Sequence, residues 1–143
     1  HDPHVNHEDM EKAGAEGVTM EELLARADFI SIHVPLNEET ENLIGKKEFE
    51  QIKNGVYIIN TSRGKIIDEA ALLQALKNKK IAGAAMDVMT NEDADGKFLE
   101  NNPLLDYAKS HDNLLIVPHL GGATYDSMWK TENFIAEKVK KQL

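Results

Sequence analysis

Cysteine is absent from the sequence, which excludes disulfides, thiolate metal centres and cysteine nucleophiles together and fits a cytoplasmic setting. Arginine is scarce: the chain has only Arg26 and Arg63, within a formal net charge of −9. Nucleic-acid phosphates are held by clustered Lys and Arg, so that class of partner is excluded as well. No apolar run approaches the roughly 18 residues of a membrane span, and His1-Asp2-Pro3-His4 lacks the basic-then-apolar pattern of an export signal. Internal repeats and low-complexity linkers are missing. So are a serine nucleophile elbow and a Schiff-base lysine environment, which leaves hydrolase and aminotransferase chemistry unsupported. At 143 residues, what remains is a chain of one-domain size, long enough to bury a sheet-and-helix core.

Helical and extended patterns alternate along it. Thr19-Met20-Glu21-Glu22 has the capping-box form and predicts a helix from Met20, with Leu23, Leu24 and Ala27 on its apolar face. Phe29 to Val34 reads as a strand that Pro35 terminates. A short helix over 47–52, a turn at Lys53-Asn54-Gly55 and an apolar strand over Val56 to Asn60 repeat the unit. Asp68 caps a helix carrying Ala71, Leu72, Ala75 and Leu76, which leads into a strand over Ile81 to Asp87. A polar loop from Thr90 to Asn102 and a short helix near Leu104 to Tyr107 follow. The last strand, Leu114 to Val117, is stopped by Pro118, and a final helix from about Thr124 to Lys141 carries Met128, Ile135 and Val139 on one side. This alternation predicts an α/β fold with a parallel sheet.

Metal binding is not expected. The Asn91 to Gly96 stretch holds Glu92, Asp93 and Asp95 but lacks the regular ligand spacing and distal Glu of a calcium loop. His1, His4 and His7 are zinc- or nickel-type ligands, yet Pro3 argues against a regular helix that would gather them.

In open parallel sheets, ligands bind beyond the carboxyl ends of the strands, and those ends are unusually polar here. They read His33-Val34-Pro35, Asn60-Thr61-Ser62-Arg63-Gly64, Asp87, and Pro118-His119-Leu120-Gly121-Gly122. An arginine, a carboxylate and a histidine at neighbouring strand ends are the parts that reduction of a 2-keto acid requires. The guanidinium forks onto a carboxylate, and the imidazole gives a proton to the carbonyl oxygen as hydride reaches its carbon. Each residue also has a plainer explanation. Arg63 could belong to a structural ion pair, as Arg26 is expected to among Glu21, Glu22 and Asp28; His119 could be a hydrogen-bonded loop residue, and Glu92 a solvated carboxylate.

Three segments together resemble one family. Asn60-Thr61-Ser62-Arg63-Gly64-Lys65-Ile66-Ile67-Asp68, Gly83-Ala84-Ala85-Met86-Asp87-Val88 and Val117-Pro118-His119-Leu120-Gly121-Gly122-Ala123-Thr124 are similar, in order, to signatures of the D-2-hydroxyacid dehydrogenases, the phosphoglycerate dehydrogenase-like group included. His33-Val34-Pro35-Leu36 with Glu39-Thr40 and Leu43-Ile44-Gly45 is similar too. The resemblance implies an oxidoreductase that uses NAD(H) to interconvert a D-2-hydroxy acid and its 2-keto acid, and a homodimer. It assigns the substrate carboxylate to Arg63, acid/base work to His119, and the pairing and orientation of that imidazole to Glu92. On the cofactor it puts Asp87, at the nicotinamide carboxamide, with Thr61, Ser62, Gly121, Gly122, His33, Val34, Pro35 and Thr40 around it. Arg63 and His119 are expected to border the cofactor as well. Asp2 is similar to the ribose-binding carboxylate of such domains, and a carboxylate there disfavours the extra phosphate of NADP.

The sequence departs from the family in one large respect. It contains no Gly-x-Gly-x-x-Gly, the phosphate-binding turn that precedes the ribose aspartate by about 20 residues. The expectation is therefore a partial Rossmann-type sheet lacking its first two strands: residues 1–143 as the C-terminal portion of an NAD-binding domain, without the substrate domain, and inactive by itself. Strand Phe29 to Val34 would then present an open edge, to be covered by a second copy or by the displaced N-terminal segment. The competing function is an NAD(H)-sensing protein of the corepressor type. Which 2-hydroxy acid is used is not legible in these residues.

Overall fold

Side chains that satisfy free helix amides set the first two elements. In the computed structural model, which describes residues 1–92 and 96–141, Asn6 accepts the Asp9 amide to open α1 (His7–Lys12). Thr19 and Glu22 form the reciprocal capping box of α2 (Met20–Arg26). There follow β1 (Phe29–Ile32), α3 (Lys46–Gln51), β2 (Val56–Asn60), a 3-10 turn (Gly64–Ile66), α4 (Glu69–Lys77) and β3 (Ile81–Met86). A second 3-10 turn (Lys97–Leu99), α5 (Pro103–Ala108), β4 (Leu114–Ile116) and α6 (Tyr125–Lys140) complete the order. Asp93 and Asp95, on which a calcium-loop reading turns, lie outside the described residues.

The strands form one parallel sheet in the order β1-β2-β3-β4. Alternation along each strand sends Ile30, Ile32, Val56, Ile58, Met86 and Leu114 to one face. There they share a single core with Leu24, Phe49, Leu72, Leu76 and Leu104 from α2 to α5. The opposite face is open: Phe29 and Tyr57 stack at 5.3 Å, and both are exposed, as is Leu115. This is the parallel half-sheet that the sequence predicts.

Several boundaries differ from the sequence expectation. The first strand stops before His33 and the last before Val117, short of Pro35 and Pro118, which have no amide to extend the ladder, and the third stops before Asp87. α1 was not anticipated: Pro3 lies outside it, and a capped six-residue helix whose one apolar side chain is Met10 leaves no apolar period to detect. Arg26 forks onto Glu16 at 2.8–2.9 Å and not onto Glu21, Glu22 or Asp28; the Glu22 carboxylate is already engaged in the capping box. The N-terminal segment forms α1 and α2 and does not pair along β1, which is an edge strand of this sheet. α6 carries its apolar side chains as expected, but none of them is buried. Among the described residues, no helix is long and apolar enough to cross a membrane.

Candidate active site

The pairing register brings the strand ends level. Ile32, Asn60, Met86 and Ile116 stand side by side across the sheet. The ladder continues one step further, with the Asp87 amide donating to the Asn60 carbonyl at 2.9 Å and the Val117 amide to that of Met86 at 3.0 Å. The segments carrying Arg63, Asp87 and His119 therefore leave the same edge from adjacent strands, which are spaced about 4.8 Å apart.

Asn60 shapes the first of these segments. It is fully buried, and its side chain donates to the Arg63 carbonyl at 2.9 Å while accepting the Ser62 amide at 3.0 Å. The Ser62 hydroxyl donates to the Ile32 carbonyl at 2.8 Å, tying the end of β1 to the turn after β2. This anchoring leaves the Arg63 side chain exposed. Its Nη1 donates to the Ser62 carbonyl at 2.7 Å. Among the described residues no carboxylate pairs with the guanidinium, so a structural ion pair does not account for it.

Asp87 anchors the last segment. Its buried carboxylate accepts the Leu120 amide at 2.6 Å and the Gly121 amide at 2.8 Å. A side chain at position 121 would put a Cβ 2.7 Å from Oδ2, so glycine permits this approach. Two residues before it, His119 has φ of +53°, a left-handed conformation uncommon outside glycine. The imidazole Nδ1 lies 2.8 Å from Glu92 Oε1. Glu92 is not a solvated surface carboxylate: its side chain is only 24% exposed, and Oε2 accepts the Met89 amide at 3.2 Å. With Nδ1 held by the carboxylate, Nε2 is the ring nitrogen left for chemistry. Glu92 and His119 line an open groove of about 820 Å³ together with Met89, Leu99, Leu105 and Ile116; Arg63 and Asp87 are not part of its lining.

The remaining predicted residues are scattered around this edge or away from it. Thr61 is exposed, and Gly122 faces open space. His33 Nε2 lies 2.8 Å from the Ser31 hydroxyl, and Val34 packs against the core. Thr40 closes the turn after β1 by donating to the Pro35 carbonyl at 2.6 Å. Asp2 accepts the His4 amide at 2.8 Å in an exposed N-terminal turn, with no hydrogen bond or ion pair joining it to the strand-end group. His1 contacts the Val18 carbonyl and the His7 ring lies against Gly17, so the N-terminal histidines are not gathered. Among the described residues, no group of His, Cys, Asp and Glu is arranged to hold a metal ion.

Two functional neighbours escaped the sequence reading. Asn60 was read only as the first residue of the Asn60-Thr61-Ser62-Arg63-Gly64 segment, with no role of its own. Glu69, beside the capping Asp68, accepts the Thr90 amide at 2.6 Å. Burial holds its carboxyl above the ordinary value, the charges of Asp68 and Glu92 add to that, and the hydrogen bonds from Thr90 oppose it.

Comparison with known proteins gives a consistent set of likenesses. A family profile described as "D-isomer specific 2-hydroxyacid dehydrogenase, NAD binding domain" matches residues 1–121. The chain is 40% identical over 139 residues to a D-3-phosphoglycerate dehydrogenase of Archaeoglobus fulgidus, covering 97% of this chain and 25% of that protein. It is 38% identical over 136 residues to a glyoxylate reductase of Korarchaeum cryptofilum, covering 94% and 39%. The crystal structure of a D-lactate dehydrogenase from Aquifex aeolicus, complexed with NAD and lactic acid, superposes with a TM-score of 0.80 at 33% identity, covering 96% of this chain and 43% of that one. The chain thus spans between a quarter and about two-fifths of the length of these relatives.

Proposed function

Because the chain belongs to the D-isomer-specific 2-hydroxyacid dehydrogenases, by its match to their NAD-binding domain, we propose that it supplies the catalytic edge of an oxidoreductase acting between NAD(H) and a D-2-hydroxy acid/2-keto acid pair. The observation that carries this reading is the 2.8 Å Glu92–His119 pair at the carboxyl edge of the sheet, with Arg63, which pairs with no carboxylate among the described residues, two strands away.

In the reduction, the Arg63 guanidinium holds the substrate carboxylate, and its planar fork fixes which face of the keto carbon is presented. Glu92 holds Nδ1 of His119 and so turns Nε2 toward the substrate, where it delivers its proton to the carbonyl oxygen; oxidation runs the same transfer backwards. When bound, NAD(H) supplies or accepts the hydride. The open backbone at Gly122 and the exposed Thr61 fit the nicotinamide end of such a cofactor. Asp87 borders it through the lone pairs not already accepting the Leu120 and Gly121 amides, and Ser62, His33, Val34, Pro35 and Thr40 flank it. Asp2 meets the adenosine ribose. Residues 1–143 act as the C-terminal portion of the nucleotide domain, and a separate substrate domain selects the side chain of the acid. A cytoplasmic homodimer belongs to the same proposal.

A purely NAD(H)-sensing role has no use for a carboxylate-oriented imidazole, and no observation favours it. The test is NADH consumption by the full-length protein with glyoxylate, hydroxypyruvate, pyruvate and phosphohydroxypyruvate. At least one is expected to turn over, with His119→Asn slowing it by about 10²-fold or more. NADH binding without turnover of any 2-keto acid would overturn the enzymatic reading.

A further inference from the structure

Glu92 reaches His119 from a loop that has to be held still, and the hold comes from the far side of the chain. The Met89–Thr90 peptide lies directly against Gly64: a Cβ at that glycine would stand 2.0 Å from the Met89 carbonyl carbon and 2.3 Å from the Thr90 nitrogen. On the same peptide, the Thr90 amide donates to Glu69 Oε1 at 2.6 Å. The Met89 amide donates to Glu92 Oε2 at 3.2 Å, and Glu92 Oε1 meets His119 Nδ1 at 2.8 Å. Glu69 is not needed to cap α4, because Asp68 already accepts the Ala70 and Ala71 amides at 2.9 and 3.1 Å.

We propose that Glu69 is a positioning residue for the reaction: by accepting the Thr90 amide, it clamps the peptide from which Glu92 orients His119. The proposal rests on the dehydrogenase reading for its consequence in catalysis, though not for the clamp itself. Placing this carboxylate works against its own ionisation, since burial raises its proton affinity. A group kept in such a place is better explained by what it holds than by stability. Its partner is 21 residues away in sequence, so the clamp joins the corner after β2 to the loop after β3.

The experiment uses the full-length protein with Glu69→Ala, Glu69→Asp and Glu69→Gln, and Glu92→Gln as reference. The ring-nitrogen NMR signals of His119 are followed, beside kcat and KM for the best 2-keto acid and NADH affinity. In Glu69→Ala, the His119 ring signals should move toward those of Glu92→Gln. There kcat should fall about tenfold, a fraction of what general acid catalysis supplies, with KM and NADH affinity within about twofold. Glu69→Gln retains an acceptor for the Thr90 amide and should leave both readouts near wild type. Glu69→Asp, one methylene too short to reach, carries the same expectation as Glu69→Ala should the latter fail to fold. His119 ring signals unmoved in Glu69→Ala and Glu69→Asp, or moved equally by Glu69→Gln, overturn the clamp. Should the wild type reduce no 2-keto acid, the functional reading fails, while the ring signals still decide whether Glu69 positions Glu92.

Discussion

The covered face of the sheet and its carboxyl edge are made by the same four strands, yet they follow opposite rules. On the face, Ile30, Ile58, Met86 and Leu114 belong to one apolar core and are held by packing. At the edge, β2 ends in Asn60 and β3 is followed by Asp87, both buried, and each side-chain polar atom is tied to a backbone group of a loop leaving that edge. The face therefore determines whether the chain folds, and the edge determines where Arg63 and His119 stand. Damage to one should spare the other.

The largest effect expected from this division is on the face. Ile58, 1% exposed, should cost about 2–5 kcal/mol when replaced by alanine, while the pH profile of the surviving enzyme stays unchanged. Urea denaturation and initial rates would show both. Next comes the edge: Arg63→Lys should lower kcat/KM for the 2-keto acid by about 10²-fold, because an ammonium cannot reproduce the planar fork. Its urea midpoint and NADH affinity should stay put, and a full-rate enzyme would remove Arg63 from the site. Glu92→Gln should lower kcat about tenfold in both directions, because an amide orients the imidazole less firmly than a carboxylate does. An unchanged kcat would make Glu92 a loop carboxylate only.

The smallest effect tests the boundary between the two regions. Glu69 holds its proton more tightly in the fold than when unfolded, so stability falls as pH rises from the ordinary carboxylate value through the raised one. Glu69→Gln removes that dependence. It should be slightly more stable than wild type at neutral pH, with the difference vanishing below the ordinary carboxylate value. Denaturant midpoints measured as a variant-minus-wild-type difference across pH would check it; a difference that grows toward acid would reverse the sign of the argument.

Legibility in the sequence divides along the same line. Local patterns gave β2 residue for residue at Val56–Asn60, the capping box at Thr19 and Glu22, and the Asp68 cap, since each depends on neighbours within a few positions. α1 stayed hidden because Asn6 caps a helix with no buried face. At the site, the family resemblance named Glu92 and His119, which the structure brings into contact across 27 residues of sequence. Asn60 heads one of the family-like segments and Glu69 directly follows it, but the role of neither could be recognised in that way. Their value lies in which distant backbone group they meet, and the plain chemistry of an Asn or a Glu does not announce it.

A saturation scan scored by activity would misread Gly64. Every substitution there drives a Cβ into the Met89–Thr90 backbone, so the position would rank beside Arg63 and His119 although it touches no reactant. Trimming the Met89 or Thr90 side chain would not rescue it, because the clash is with main chain. Gly55 offers the contrast: with φ of +83° and nothing within 4 Å of a would-be Cβ, its demand is conformational, and asparagine should be tolerated there. Two glycines equally plain in the sequence would thus give different substitution spectra. Position 64 would reject every replacement, and position 55 would admit the one residue type that enters left-handed turns most readily after glycine.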